Sequence, residues 1–409
     1  PQLPFASINP SPQTPNGWHD GYSPDEPIRG FGQLHASGTG WGKYGMFLVS
    51  PQTGLYTGEQ DHDSPKSAEK ASAFEYAVTL NRYDIDVKLT PSRHSAIYQF
   101  TYPQSDSSTL LFDVTHNIPM HIATVIGGEV SDAHVEVEKD GSVSGYGEYS
   151  GGFGSGSYKV YFSAQTSKNP SGYGVWLNDQ VQEGQQISRL KNTNDRVGAY
   201  FQFDTEKDET IYMKIAVSFK SIAQAKNWLQ QEIPDWDYDR VKQHAYETWN
   251  KQLNKIQVFT DDTSERKIFY TALYHSMLMP RNRTGDMAGF EEGEELWDDH
   301  YAIWDTWRTM FPLMGIINPE MVSANVQAFI NRHEKNTWVK DAFIAGNDMP
   351  AQQGGDNVDN VITGAYMKGI TGFDPEKAYQ VLKFHADRQR TGWQGFGNFE
   401  VQNSVMALY

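Results

Sequence analysis

Residues 73–103 read AFEYAVTLNRYDIDVKLTPSRHSAIYQFTYP. Three runs of β-branched and aromatic residues alternate with polar ones at period two, and the breaks at Asn81 and Pro91 fall on turn-forming residues. The spacing predicts consecutive antiparallel strands. The same pattern continues in TLLFDVTH (109–116), AHVEVEK (133–139), SYKVYFSA (157–164), GYGVWLN (172–178), RVGAYFQF (196–203) and TIYMKIAVSF (210–219). The stretches KDGSVSGYG (139–147) and YSGGFGSGS (149–157) are rich in Gly and Ser and read as turns. Gly151 to Gly156 lacks the Lys-Ser/Thr ending of a phosphate loop and reads as a hairpin tip. No long helical period interrupts the series, so residues 1–235 are expected to form a large antiparallel β-sandwich.

From Ser221 the spacing becomes helical, first in SIAQAKNWLQQEI and then in YDRVKQHAYETWNKQLNKI. The second helix, with the strand-like IQVFT after it, is expected to form a linker over 236–261. From residue 262 a helical domain begins. DDTSERKIFYTALYHSMLM reads as a helix with acids and Ser264 at its start. Further helices are expected at IWDTWRTMFPLMGII, PEMVSANVQAFINRH, NVITGAYMKGI and PEKAYQVLKFHADRQ. The chain stops in the apolar VQNSVMALY, with no glycine cap or polar tail, so 262–409 is expected to be the first part of a longer helical domain.

Composition narrows the partners. A formal charge of −17 sets net repulsion against nucleic acid and anionic lipid, whereas a neutral substrate meets no such barrier. The absence of cysteine removes disulfides, thiolate metal sites and a cysteine nucleophile. No apolar run is long enough to span a bilayer. The opening PQLPFASINP has neither a methionine start nor a signal pattern and reads as a mature or trimmed terminus. Abundant aromatics and glycine suit a β-rich protein of the kind common among carbohydrate-active ones.

YAIWDTWR (301–308) interleaves three large aromatics with one acid and one base. Two readings fit. Asp305 and Arg308 make an i,i+3 pair at the rim of a buried aromatic helix face; or the stretch is a sugar-binding wall, in which aromatic faces pack on C–H groups and a carboxylate takes two vicinal hydroxyls.

GFGQLHASGTGWGKYG (30–45) resembles the GFSHTHLSGTG segment of glycoside hydrolase family 92, the calcium-dependent exo-α-mannosidases. Four more segments resemble that family in the same order: 62–80 with 83–103, KIFYTALYHSMLMPRN (267–282), YAIWDTWRTMFPL (301–313) and GAYMKGITGFDPEKA (364–378). The resemblance implies a β-sandwich followed by an (α/α)6-type toroid, here incomplete, and removal of terminal α-linked mannose from glycans with inversion. Inversion uses two carboxyl groups roughly 6.5–9.5 Å apart, one protonating the leaving oxygen and one activating water. Calcium is implied as a cofactor that holds the sugar's O2 and O3 hydroxyls. The family's acid, base and HGNEP-like calcium segment have no counterpart in these residues, so catalytic and metal residues are expected beyond residue 409.

By the same resemblance, Asp305 is expected to bind hydroxyls of the terminal mannose, with Trp304 shaping the wall and Arg308 orienting the carboxylate. Trp41, after the SGTG turn, reads either as a contact for the leaving sugar or as a hairpin aromatic covering the sandwich, and His35 in the same segment reads either as a cleft residue or, being a lone histidine, as a hydrogen-bonded structural residue. EEGEELWDDH (291–300), seven of whose ten residues are acidic or histidine, reads first as a solvated face and second as a calcium site. GNDMPAQQGGDNVDN (346–360) reads as a polar loop whose side chains cap helices. GDNVDNVITGAY departs from the family's G-x-H-x-x-x-V-I-A-D-A-Y, with Asn357 at the histidine position and Gly364 at the aspartate, which touches linkage specificity and even the choice of sugar. The expected setting is a secreted, periplasmic or cell-surface bacterial protein. The rival readings are an inverting glycosidase or sugar phosphorylase of the same architecture, separable by phosphate dependence, and a non-catalytic glycan-binding fragment.

Overall fold

The computed structural model describes residues 1–15, 21–37, 42–118, 128–152, 156–349, 351–352, 356–388 and 394–395. The chain divides into two compact units, the first drawn from residues up to Gln252 and the second from Leu253 onward together with Gly156.

The first unit is an antiparallel sandwich followed by two helices. One sheet runs in the spatial order Ser11–Gln13, Gly30–Gly32, Leu48–Thr53, Ser105–Asp113, Val197–Thr205, Gly172–Leu177, Gln180–Glu183. The other runs Ile187–Arg189, Glu129–Val137, Ser142–Ser150, Tyr158–Thr166, Glu209–Ser218, Ser95–Tyr102, Ile85–Pro91, Tyr76–Leu80, Lys66–Ala71. Alternation does the sorting: in Tyr76–Leu80 the residues Tyr76, Val78 and Leu80 are buried and the two between them half-buried. Each of the nine expected strand stretches contains a strand.

Ser142–Ser150 is a full strand where turns were expected. Its glycines serve packing: a Cβ on Gly145 would lie 2.1 Å from the His134 carbonyl oxygen and 3.0 Å from the Phe162 ring.

Helix α1 (Ile222–Glu232) is capped by Ser221, whose hydroxyl accepts from the Gln224 N–H at 3.0 Å. Helix α2 (Tyr238–Leu253) packs Tyr238 and Val241 with Ile97 and Ile233, and Ala245 with Leu3 and Ala6. The Trp249 indole N–H donates to the Gln2 carbonyl at 2.8 Å, so this helix is built into the sandwich unit through the chain's first residues. IQVFT is not a strand, and Phe259 in it is 90% exposed.

The second unit holds α3 (Thr263–His275), α4 (Ile303–Thr306), α5 (Met310–Ile317), α6 (Pro319–Asn336), α7 (Asn357–Met367) and α8 (Pro375–Asp387). Asp262 caps α3 and Asp374 caps α8, each accepting from two backbone N–H groups. The continuous helix expected over 303–317 is broken at 307–309. Pro312 explains the break, because its ring collides with the carbonyl four residues back, at Arg308, and it brings no N–H to bond there. Among the described residues no helix is long and apolar enough to cross a membrane.

Candidate functional site

A buried polar platform precedes the YAIWDTWR segment in the chain. Arg281–Asn282 pairs antiparallel with Trp297–Asp298, and the Arg283 N–H continues the ladder to the Leu296 carbonyl at 2.9 Å. His300 exchanges both backbone hydrogen bonds with Phe343, at 2.9 and 3.1 Å, and the Gly346 N–H donates to Asp298 Oδ1 at 3.2 Å. The arginines two apart in RNR and the acids of WDDH thereby meet inside the unit. Arg281 Nη1 lies 3.4 Å and Arg283 Nη2 3.6 Å from Asp299 Oδ2, and Arg283 Nε lies 3.7 Å from Asp298 Oδ2, with all four side chains at zero exposure.

Helix α6 closes the platform. Asn325 bonds His300 Nε2 at 2.8 Å, Asn331 donates to the Glu295 carbonyl at 2.8 Å, and Arg332 pairs with Asp348 at 2.7 Å while lying 4.0 Å from the Phe343 ring centroid. Burial, then the neighbouring Asp299, raises the Asp298 carboxyl to about 7, against the pull of Arg283. Burial, reinforced by Arg332, lowers His300 to about 3, so its ring is neutral. A carboxyl near 7 suits a general acid, but Asp298 has no exposed surface through which to reach a substrate. Its work is structural.

Three residues after His300 the platform gives rise to α4. Ile303 is buried and anchors it, while Trp304, 38% exposed, and its sequence neighbour Asp305 are both at the surface. Thr306 and Thr309 hydroxyls donate to the Ala302 and Asp305 carbonyls at 3.1 and 2.8 Å, tying the turn to itself. Arg308 does not orient Asp305 as expected: it lies over Trp307, its guanidinium carbon 4.8 Å from the ring centroid, in the half-exposed segment that the Pro312 break creates.

His35 is likewise not a cleft residue. It is buried within the sandwich unit, its Nδ1 lying 3.1 Å from the Asn9 carbonyl and its Nε2 against the Gln13 side-chain amide, so neither ring nitrogen is available to a sugar. Trp41 lies outside the described residues.

The acidic stretch 291–300 splits in two. Glu291 and Glu292 are solvated, as expected of a charged turn, whereas Trp297 to His300 are buried in the platform. In the loop before α7, the N-terminal N–H of Val358 is satisfied by Asp341 Oδ1 at 2.9 Å, and Asn357 donates to Asp341 Oδ2 at 2.7 Å. Capping therefore comes from across the fold. Asp356, at the N-cap with φ +54°, makes no side-chain cap bond.

Asp356, Asp359 and His385 bring ligand atoms within 4.8 Å of one another. They do not fit calcium, which takes roughly six to eight oxygen ligands. His385 Nε2 accepts the Val339 N–H at 3.3 Å, so Nδ1 carries the proton and donates it to Asp359 Oδ1 at 2.7 Å. The group reads as a staple between α7 and α8.

Comparison with known proteins gives a consistent result. The model of the glycosyl hydrolase family 92 N-terminal domain matches residues 1–218, and that of the glycosyl hydrolase family 92 catalytic domain matches residues 224–406. An uncharacterized secreted glycosidase of Arthroderma benhamiae is 25% identical across 92% of this chain and 48% of its own length. A family 92 α-mannosidase of Bacteroides thetaiotaomicron is similar at 25% identity and a TM-score of 0.82, over 95% of this chain and 55% of its own. It has also been solved in complex with mannoimidazole, where the match is 26% identical, with a TM-score of 0.82 over 94% of this chain and 52% of that one. An inverting mannosidase of the family from the same organism shares the fold, with a TM-score of 0.84 at 23% identity over 95% of this chain and 52% of its own. The chain spans about half the length of these relatives.

Proposed function

Because this chain belongs to glycoside hydrolase family 92, we propose that the protein removes terminal α-linked mannose from glycans with inversion, and that Trp304 and Asp305 form part of the wall that holds the terminal sugar. The observation that carries this reading is the pair itself: an exposed indole and an exposed carboxylate adjacent in sequence on a one-turn helix, rooted in a fully buried ionic platform. An indole face packs on the C–H side of a pyranose, and a carboxylate accepts hydrogen bonds from two adjacent hydroxyls.

Hydrolysis with inversion further requires a carboxylic acid and a carboxylate on opposite faces of the scissile bond. Asp298, the carboxyl raised to about 7, is too deeply buried for either part. Calcium is proposed as a requirement of the whole protein. Among the described residues, the set whose ligand atoms converge does not suit it. A location outside the cytoplasm is proposed from the secreted glycosidase to which the chain is similar.

The test is release of free mannose from α-linked mannobiosides by the full-length protein, with calcium and with excess chelator. Calcium-dependent, phosphate-independent release supports the reading. No release from any α-mannoside sinks it.

A further inference from the structure

The outer face of the nine-stranded sheet carries a second concentration of hydroxyl, amide and aromatic groups. Helix α1 packs across strands Tyr158–Thr166 and Glu209–Ser218, burying Ala225 and Leu229. Beside it lies a cavity of about 210 Å³, open on one side, bounded by Ser142, Ser144, Ser163 and Gln165 of the sheet and by Lys226 and Gln230 of the helix. Pockets that enclose whole drug-sized ligands run to roughly 300–1,000 Å³, so this one suits a single ring.

Its charges argue for a neutral ligand. Lys214 lines the cavity, but its ammonium donates to the Ile233 carbonyl at 3.0 Å and the Pro234 carbonyl at 3.4 Å, and sits 4.7 Å from the Trp236 ring centroid. Its donors are engaged. Glu138 and Asp140 also line the cavity and oppose an anion beside Lys226. The remaining polar groups are hydroxyls and amides, which match the donor-and-acceptor rim of a polyol, and Val143, Ala164 and Leu229 add apolar surface for its C–H groups.

The strand register extends the site. Ser144 pairs with Ser163, and two residues along, on the same face, Tyr146 pairs with both Tyr161 and His134. Two residues of strand put this aromatic row about 7 Å from the cavity. The ring centroids are 5.8 Å apart for Tyr146 and Tyr161 and 5.7 Å for His134 and Tyr146. Lys159, held by Asp132 and Glu148 at 3.5 and 3.4 Å, lies 4.5 Å from the Tyr146 centroid and fixes that ring.

We propose that the cavity and the tyrosine row form a carbohydrate-binding site on the sandwich, taking one ring of a neutral oligosaccharide in the cavity and the next ring against Tyr146 and Tyr161. The choice of a glycan rests on the glycosidase reading above. The site would hold a polymeric substrate while its terminal sugars are removed, so that binding and turnover separate in experiment.

The full-length protein is run in native gels containing α-mannan, alongside Tyr146→Ala/Tyr161→Ala and the cavity-filling Ser144→Trp, with cooperative melting as the folding check. Gln165→Ala replaces Ser144→Trp should the tryptophan not fold. Retention by mannan is expected to weaken about tenfold in each variant, whereas kcat/KM for an aryl α-mannoside, which occupies one subsite, stays at the parent value. Folded variants retained like the parent overturn the proposal. If the protein hydrolyses no α-mannoside, the same gels are poured with xylan, β-glucan and galactan. Retention lost in both variants on any of these keeps the site while the mannosidase reading falls, and retention that is absent or unchanged on all of them overturns the site.

Discussion

Arg308 lies over the ring of Trp307, its guanidinium carbon 4.8 Å from the centroid, and makes no ion pair with Asp305 two positions before that ring. The carboxylate proposed to bind sugar is therefore positioned by α4 and by the buried segment before it, not by its basic neighbour. In the full-length protein, Asp305→Ala is expected to lower kcat/KM on an α-mannobioside by about a hundredfold or more, the loss that follows when two charge-assisted hydrogen bonds to substrate disappear. Arg308→Ala removes an exposed cation–π contact worth about 0.5–1 kcal/mol and is expected to leave kcat/KM within about threefold. Equal losses in the two variants would return Arg308 to the role of orienting partner.

The platform before α4 makes a different prediction. Arg283 stands 3.7 Å from Asp298 and 3.6 Å from Asp299 with none of the three exposed. Arg283→Met leaves the buried Asp298 carboxyl without its arginine, while Asp299 keeps Arg281 3.4 Å away, and is expected to cost about 3–5 kcal/mol in denaturant unfolding. Adding Asp298→Asn to that variant removes the uncompensated acid while the Arg281–Asp299 pair stays intact, and is expected to recover most of the loss. A double variant no more stable than the single would show that the arginine acts through packing and not through charge.

Acid stability carries a sign that His62 shares with His300, and His62 is the one open to test away from the candidate site. Burial lowers this imidazole from 6.5 to about 3, with Arg196, His116 and Arg29 reinforcing and Asp113 opposing. The folded state refuses a proton that the unfolded chain takes up, so the stability conferred by the neutral ring is complete above about pH 6.5 and declines as pH falls toward 3. Over that window the loss is on the order of a few kcal/mol. His62→Asn is expected to flatten the slope of unfolding free energy between pH 6 and 4, roughly the span where the two states differ most in bound protons. A slope identical to the parent's would mean that another group sets it.

Legibility in the sequence followed periodicity. Period-two runs such as YAVTL and IDVKL appear as strands because one face is buried and the other is not. SVSGYGEYS escaped because Gly145 and Gly147 read as turn residues, whereas the partner backbone at His134 requires a missing Cβ at position 145. The break in the 303–317 helix was present in the sequence as Pro312, outweighed by an uninterrupted apolar pattern. At the candidate site, Trp304 and Asp305 stood out by residue type. The platform did not, since Arg281, Arg283, Asp298 and Asp299 look like surface charges until the ladder between 281–283 and 296–298 folds them inward. At His35, of the two readings open in the sequence, the structural one holds, because the sandwich core engages both ring nitrogens.

Helix α7 offers a last test of the same point, because its cap is supplied from sixteen and seventeen residues away in sequence. Asp341 accepts from the Val358 N–H at 2.9 Å through Oδ1 and from the Asn357 side chain at 2.7 Å through Oδ2, while Asp356, the residue in the N-cap position, adopts φ +54° and caps nothing. Asp341→Ala strips one of the four unsatisfied N–H groups of that helix end of its acceptor and leaves a buried amide unpartnered, for a combined cost of about 1–3 kcal/mol. Asp341→Asn keeps the oxygen that serves Val358 and loses the second acceptor, so it is expected to cost about half as much. Hydrogen exchange at Val358 reads the cap directly: protection should fall in the alanine variant and persist in the asparagine variant. Equal protection in both would mean that Asp341 acts only through the Asn357 side chain.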